Sequence, residues 1–176
     1  IDSNAKYSAD TGNWYRYYNS NVGFTTALSN AAAATLNGVN GHLLTITSVE
    51  ENTFIDNNVM GNHIWLAASD MDNEGAWVWV AGPEAGTQFS QGGTAVNGLY
   101  ERWAGSEPNT PSYDYAYMNT NGNWYDDANG NNRRYVVEWE GVDVINNDSY
   151  VVPHDNPDGS DILNGDSIGY VQAADA

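Results

Sequence analysis

Across residues 103–127 the chain gathers five side chains that offer oxygen and nothing else: Glu107, Asn109, Asp114, Asp126 and Asp127. No Cys or His lies among them. Carboxylates with a side-chain amide suit a hard cation, and this many ligands favour Ca²⁺ over Mg²⁺. Upstream, Asp70-Met-Asp72-Asn-Glu74-Gly75 forms a second acidic run. It fits the first half of an EF-hand loop, but the twelfth position is Ala81, where that loop needs a bidentate Glu, so an EF-hand is excluded. His42, His63 and His154 stand far apart with no ligand spacing and read as ordinary surface or core residues.

The elements that must position these groups are legible around them. Residues 14–18, Trp-Tyr-Arg-Tyr-Tyr, read as a strand. A helix is expected over 24–37, with Phe24, Leu28 and Ala31 or Ala32 on one face and Asn37-Gly38 closing it. The apolar run over 41–46 reads as a strand. Ser48-Val-Glu-Glu51 is a capping box that opens a helix to about residue 58, with Val49, Phe54 and Ile55 inward. Residues 64–67 and 77–80 are strand-like, 82–99 is a Gly-rich loop without a clear pattern, and 114–118 and 134–139 read as strands. The sum is an α+β domain with two helices, antiparallel sheets and a long, sparsely regular loop region over about 68–127.

Composition bounds the partners. The 176 residues are one domain's worth and can bury a real core. Twenty-three acids face five Lys and Arg, for a formal charge of −18. That argues against nucleic acid and anionic membranes. It favours cation binding, or salty water in which self-repulsion is screened. There are no Cys residues, so packing must do what cross-links do elsewhere. No stretch of 18 or more apolar residues exists to span a membrane, and no signal peptide is seen.

The ordered pattern Trp103, Glu107-Pro108-Asn109, Trp124-Tyr125-Asp126 resembles the calcium and sugar site of C-type lectin domains. The order helix, Gly41-His-Leu-Leu-Thr-Ile46, then a Ser-capped helix carrying Glu-Glu-Asn-x-Phe-Ile, resembles the amino-terminal half of that fold, and Ile64-Trp-Leu-Ala67 its central strand. The likeness runs from about Tyr15 to Glu140. It implies a C-type lectin-like fold and a Ca²⁺ held by Glu107, Asn109 and Asp126, with a cis bond before Pro108. Tyr125 stands where the family usually has a ligand Asn and Tyr113 where it often has Glu. Asp114 or Asp127 can substitute as ligand, and Tyr113 or Tyr125 can stack on a sugar face. The spacing from Asp70 to Glu74 matches an auxiliary Ca²⁺ site of the family that also draws on Asp114. Animal members usually carry two disulfides. The matching positions here are Ala31 with Val137, and Tyr115 with the region of Ala128, a departure that suits bacterial members.

The function so implied is a calcium-dependent carbohydrate-binding module, extracellular and at a cell surface. It would grip vicinal hydroxyls of fucose-, mannose- or glucose-type glycans through Glu107, Asn109, Asp126, Tyr113 and Tyr125, and act as a monomeric module of a larger adhesin. A module of the same fold that binds protein, peptide or ice is the alternative. An enzyme is not expected: a glycosidase needs one carboxylic acid kept protonated in an apolar pocket, and the acids here cluster among polar ligands. After Gly141 the composition turns to Asn, Asp, Pro and Gly. The expected division is a lectin-like domain over 1–141 and a polar extension or linker over 142–176. The run Gly159-Ser-Asp161-Ile-Leu163-Asn-Gly165 resembles half of a repeats-in-toxin motif, which would place the module in a large bacterial adhesin of that type. The chain reads as an excised module of a longer protein.

Overall fold

The computed structural model describes residues 4–142 and two short strands beyond them. The chain divides into two compact units, Ile1–Val142 and Asp143–Ala176. In the first, β1 (Lys6–Tyr7) pairs antiparallel with β2 (Trp14–Val22), and α1 (Phe24–Ala33) follows. A two-stranded ribbon, β3 (Thr35–Leu36) and β4 (Val39–Asn40), leads to β5 (His42–Leu43) and α2 (Val49–Phe54). Then come β6 (Ile64–Ser69), β7 (Ala76–Trp79), β8 (Gln88–Gln91), β9 (Thr94–Ala95), β10 (Tyr115–Met118), β11 (Trp124–Asp127) and β12 (Arg133–Trp139).

These strands form one ten-stranded sheet whose main path runs β1-β2-β12-β6-β7-β8-β9, with β5 added to β12 and the β10–β11 pair branching from β6. All pairings are antiparallel except β12 with β6. β2 and β12 pair along most of their length, from Trp14 opposite Trp139 to Val22 opposite Arg133. The fold is the expected α+β, C-type lectin-like one.

Period-2 alternation splits the core into two clusters on opposite sides of the sheet. Trp14, Trp65, Val137 and Trp139 pack with Phe24, Ala27 and Ala31 of α1. Their strand neighbours Tyr15, Ile64, Leu66 and Val136 pack with Ile55, Trp77 and Trp124. β6 is buried on both faces, which is why Ile-Trp-Leu-Ala-Ala-Ser reads as an unbroken apolar run. Ala31 and Val137, at the positions of a family disulfide, are both fully buried in one cluster, so close packing stands in for the bond.

The first helix ends sooner than expected. α1 stops at Ala33, and Asn37-Gly38 is not its cap. Both residues have positive φ, 49° and 82°, and form the two-residue turn between β3 and β4, where Leu36 pairs with Val39. Asn-Gly is the strongest short hairpin signal, and here it outcompeted helix termination. Ser48 caps α2 as expected, accepting from the Glu51 amide at 3.1 Å. The return half of the box is displaced by one residue: Glu51 accepts from the Thr47 amide at 2.8 Å. α2 relaxes after Phe54 into a π-helical turn, Ile55–Val59, closed by Met60 N–H on the Ile55 carbonyl. Val49, expected inward, is 51% exposed, because the α2 face that packs inward carries Glu51, Asn52 and Ile55. Residues 82–99 are less irregular than expected, since β8 and β9 lie within them.

In the second unit, β13 (Pro153–Asp155) pairs antiparallel with β14 (Asp161–Leu163). The rest of the 159–165 run lies outside the described residues, as does most of 142–176.

Candidate functional site

The Glu107 loop is held from two sides. Toward β11, Trp124 N–H donates to the Arg102 carbonyl at 2.8 Å and Ala104 N–H to the Trp124 carbonyl at 3.0 Å. Toward β9, Gly93 sits so close that a Cβ there would lie 2.6 Å from the Glu107 carbonyl oxygen and 2.9 Å from Pro108 Cδ. Trp124 is fully buried and its Nε1 donates to Asn52 Oδ1 of α2 at 2.9 Å. Trp103 packs against Trp77 at 4.7 Å, and its Nε1 donates to Ser90 Oγ at 3.1 Å. Both tryptophans are supports beneath the loop. With Trp124 pointing inward, alternation along β11 brings Asp126 to Trp124's side and sends Tyr125 and Asp127 to the other.

On this frame three expected residues meet. The Glu107–Pro108 bond is cis. Glu107 Oε1 accepts from Asn109 Nδ2 at 2.6 Å. Asp126 Oδ2 accepts from the backbone amides of Asn109 at 3.1 Å and Thr110 at 2.7 Å. Thr110 Oγ1 donates to Asn109 Oδ1 at 2.8 Å, a role with no signal in the sequence beyond adjacency. Burial, then a hydrogen bond with Asp126 and its negative charge, push the Glu107 carboxyl up to about 7. Two carboxylates crowded this way repel unless a proton or a cation lies between them.

The Asp70 group lies next to it. Asp70 is 4% exposed, and its Oδ2 accepts from Gly75 N–H at 2.8 Å while its Oδ1 is buried without a hydrogen bond. Burial, and then the charges of Glu74 and Asp114, raise it to about 6. A cleft of about 120 Å³ is lined by Asp70 and Glu74 at one side and by Asn109, Thr110 and Asp126 at the other. Both groups therefore open on one shared space. An orphaned buried carboxylate oxygen and a donor set of oxygens alone fit hard cations.

Other expected ligands go elsewhere. Asp114 stands with Asp70, whose N–H donates to the Asp114 carbonyl at 3.3 Å. Among the described residues, neither Glu107, Asp114 and Asp126 nor Asp70, Glu74 and Asp114 bring three ligand oxygens within 4.8 Å of one another. The backbone sets Asp114 beside Asp70, because the next residue, Tyr115, pairs with Ser69. Asp127 is 3% exposed and its carboxylate is taken by the Arg133 guanidinium and Asn131 Nδ2, on the face that alternation assigns it. It does not reach the Glu107 group. Tyr125 is half-buried and stacks on Tyr117 at 5.4 Å, while Tyr113 is 37% exposed at the rim of the loop. His42, set aside on spacing, lies beside Glu138 and Glu140, a pairing visible only once β5 is registered against β12.

Residues 27–138 match the family model described as Lectin C-type domain. Halomucin of Haloquadratum walsbyi is 38% identical over 143 residues, covering 79% of this chain and 2% of that protein. Lectin BRA-3 of Megabalanus rosa is 30% identical over 101 residues, covering 55% of this chain and 54% of its own length. The chain thus spans less than two thirds of either relative. Among solved structures, the C-type lectin CEL-I from Cucumaria echinata superposes with a TM-score of 0.62 at 19% identity, covering 78% of this chain and 96% of that one. A calcium-independent type II antifreeze protein superposes at 0.61 with 20% identity, over 81% and 95%. At these identities the structures speak for the fold alone.

Proposed function

Since this chain belongs to the C-type lectin domain family, a family of generally carbohydrate-binding modules, we propose that it is a Ca²⁺-dependent sugar-binding module. The observation that carries this reading is the meeting of Glu107, Asn109 and Asp126 between one loop and β11, with the first and last carboxylates crowded together. Glu107, Asn109 and Asp126 would hold one Ca²⁺, and Asp70, Glu74 and Asp114 a second. When bound, the ion supplies open coordination positions for two adjacent sugar hydroxyl oxygens. The side chains do the rest: Glu107 accepts one hydroxyl's proton, Asn109 Nδ2 donates to its remaining lone pair, and Asp126 accepts from the second hydroxyl. Tyr113, exposed at the rim, and Tyr125 offer flat faces for the sugar ring.

The order of acceptor then donor suits the trans, equatorial 3- and 4-hydroxyls of mannose and glucose, and a comparable pair in fucose. One sugar touches few atoms, so affinity should be near millimolar, about −4 kcal/mol. Adhesion would come from many copies at a cell surface. That fits a sugar-binding body over 1–141 with a polar extension over 142–176, carried outside the cell in a large adhesin of the repeats-in-toxin type. The small share of Halomucin that this chain covers supports a modular setting.

The test is competition for an immobilised mannan by free fucose, mannose and galactose, with Ca²⁺ and with chelator. Fucose and mannose should compete, only with Ca²⁺ present, and Glu107→Gln with Asn109→Asp should weaken both while leaving the fold intact. Best competition by galactose sinks the specificity. The second reading, a module of the same fold for protein, peptide or ice, draws on the superposition with a type II antifreeze protein. Calcium-dependent melting with no sugar binding at all would select it.

A further inference from the structure

A separate group of ligating side chains converges where β5 meets β12. His42 pairs directly opposite Glu138, so both side chains leave the sheet on one face, and Glu140, two residues on, follows them. His42 Nε2 lies 3.7 Å from Glu140 Oε1 and 4.0 Å from Glu138 Oε2, and the three atoms fall within 4.8 Å of one another. Glu138 is 1% exposed. Nε2 itself is buried and makes no hydrogen bond. The other ring nitrogen, Nδ1, lies 2.9 Å from the Leu43 carbonyl oxygen. A carbonyl only accepts, so Nδ1 carries a proton, and Nε2 is the ring atom that faces the two carboxylates.

The surroundings sharpen the mismatch. Burial and the charges of Glu51 and Glu140 hold Glu138 well above the usual carboxylate range. Burial raises Glu140 too, and Glu84 and Glu51 add to it while His42 opposes them. Glu84 Oε2 reaches the same place: Thr45 Oγ1 lies 3.1 Å from it and 3.3 Å from Glu138 Oε2. One hydroxyl proton serves only one of those oxygens. A cleft of about 270 Å³, lined in part by Thr47, Glu51, Glu84, Glu138 and Glu140, gives access.

We propose that His42 Nε2, Glu138 Oε2 and Glu140 Oε1 form a binding site for a divalent transition-metal ion of the zinc class, completed by Glu84 or water. An imidazole nitrogen suits such ions, whereas Ca²⁺ takes oxygen. The Nδ1–H on a backbone carbonyl is the partner that orients a metal-bound imidazole. Around Zn²⁺ at about 2.0 Å, tetrahedral ligand atoms stand about 3.3 Å apart, so the two gaps from His42 Nε2 need close by less than about 1 Å. The ion would clip the closing strand β12 to β5 in a chain that has no disulfide.

The test uses the full chain, metal-stripped, carrying Glu107→Gln and Asp126→Asn so that the loop carboxylates do not compete. Co²⁺ is the probe, read by its visible absorption and by melting temperature, with Zn²⁺ as competitor. One equivalent should bind, Zn²⁺ should displace it, and excess Ca²⁺ should not. His42→Ala should weaken binding tenfold or more, with His63→Ala and His154→Ala unchanged. If His42→Ala fails to fold, Glu140→Gln, at a half-buried position, should show the same loss. No Co²⁺ binding, binding indifferent to His42 and Glu140, or displacement by Ca²⁺ at equal concentration each overturns the proposal; the first would mean that a protonated imidazole balances the acids unaided.

Discussion

At the residue scale the pressure of Asp126 on Glu107 sets a pH dependence. Its folded-state carboxyl is raised to about 7, so between the ordinary Glu range and that value the folded chain binds more protons than the unfolded one. Stability of the metal-stripped protein should therefore fall as pH rises through that window. Calcium binding asks for the opposite state: the ion must displace the Glu107 proton, so affinity should rise about tenfold per pH unit below 7 and level off above it. Calorimetric titration with Ca²⁺ at pH 5.5, 6.5 and 8, in buffers of different ionisation heat, reads both the affinity and the proton released. Equal affinity at all three would remove Glu107 from the ligand set. Glu107, Asn109 and Asp126 were legible because short-range order carries them: two sit on one loop, and the third lies two residues past a Trp. Asp114, read for either group, and Asp127 were not settled that way, because their place is decided by strand register. One residue of alternation sends Asp127 to Arg133, and the β10–β6 pairing carries Asp114 to Asp70. His42 was invisible for the same reason, since its partners lie on a strand almost a hundred residues away in the chain.

At the element scale the loop is only as well placed as the ribbon behind it. Gly93 has φ 80° and no room for a Cβ against the Glu107 carbonyl. Gly93→Ala should cost about 1–3 kcal/mol through backbone strain, and by shifting Glu107 it should weaken Ca²⁺ about tenfold or more, each 1.4 kcal/mol being a factor of ten. Thermal melts and Ca²⁺ titration of this variant check it; unchanged affinity would mean the loop holds its shape alone. Ser48→Ala removes the α2 cap and should cost about 1 kcal/mol without touching Ca²⁺ affinity, although Asn52 of the same helix steadies Trp124. The helices, the β2–β12 pairing and the buried β6 were legible from periodicity and caps. The β8–β9 ribbon was hidden, because Gly-rich sequence carries no long alternation to read and its place is set by pairing with β7 and by the burial of Phe89. The end of α1 was misplaced because Asn-Gly serves as a helix stop and as a hairpin turn alike, and only the pairing of Leu36 with Val39 decides between them.

At the scale of the whole molecule the acids must be reconciled with one another. Twenty-three of them face five Lys and Arg, and several of those that crowd together are buried. Two remedies exist, and they separate experimentally. Simple salt screens charges beyond a Debye length of about 8 Å at 0.15 M, so the metal-stripped chain should melt progressively higher as NaCl rises, without saturating at a stoichiometric point. Calcium acts by site. Binding the folded state alone adds about 2.7 kcal/mol at a hundredfold excess over Kd, and at about 2–4 °C per kcal/mol for a chain of this size that is a rise of roughly 5–10 °C. The two effects divide by genotype: Glu107→Gln with Asp126→Asn should abolish most of the Ca²⁺ increment and keep the NaCl increment, since sodium screens whatever acids remain. Mg²⁺ at matched ionic strength should track NaCl, because a small ion that holds its water ill suits a loop of carboxylate and amide oxygens. Differential scanning calorimetry across the four conditions reads this directly. If the wild-type melting temperature follows ionic strength alone, whichever cation supplies it, the acids are a solvated surface and the loop holds no ion.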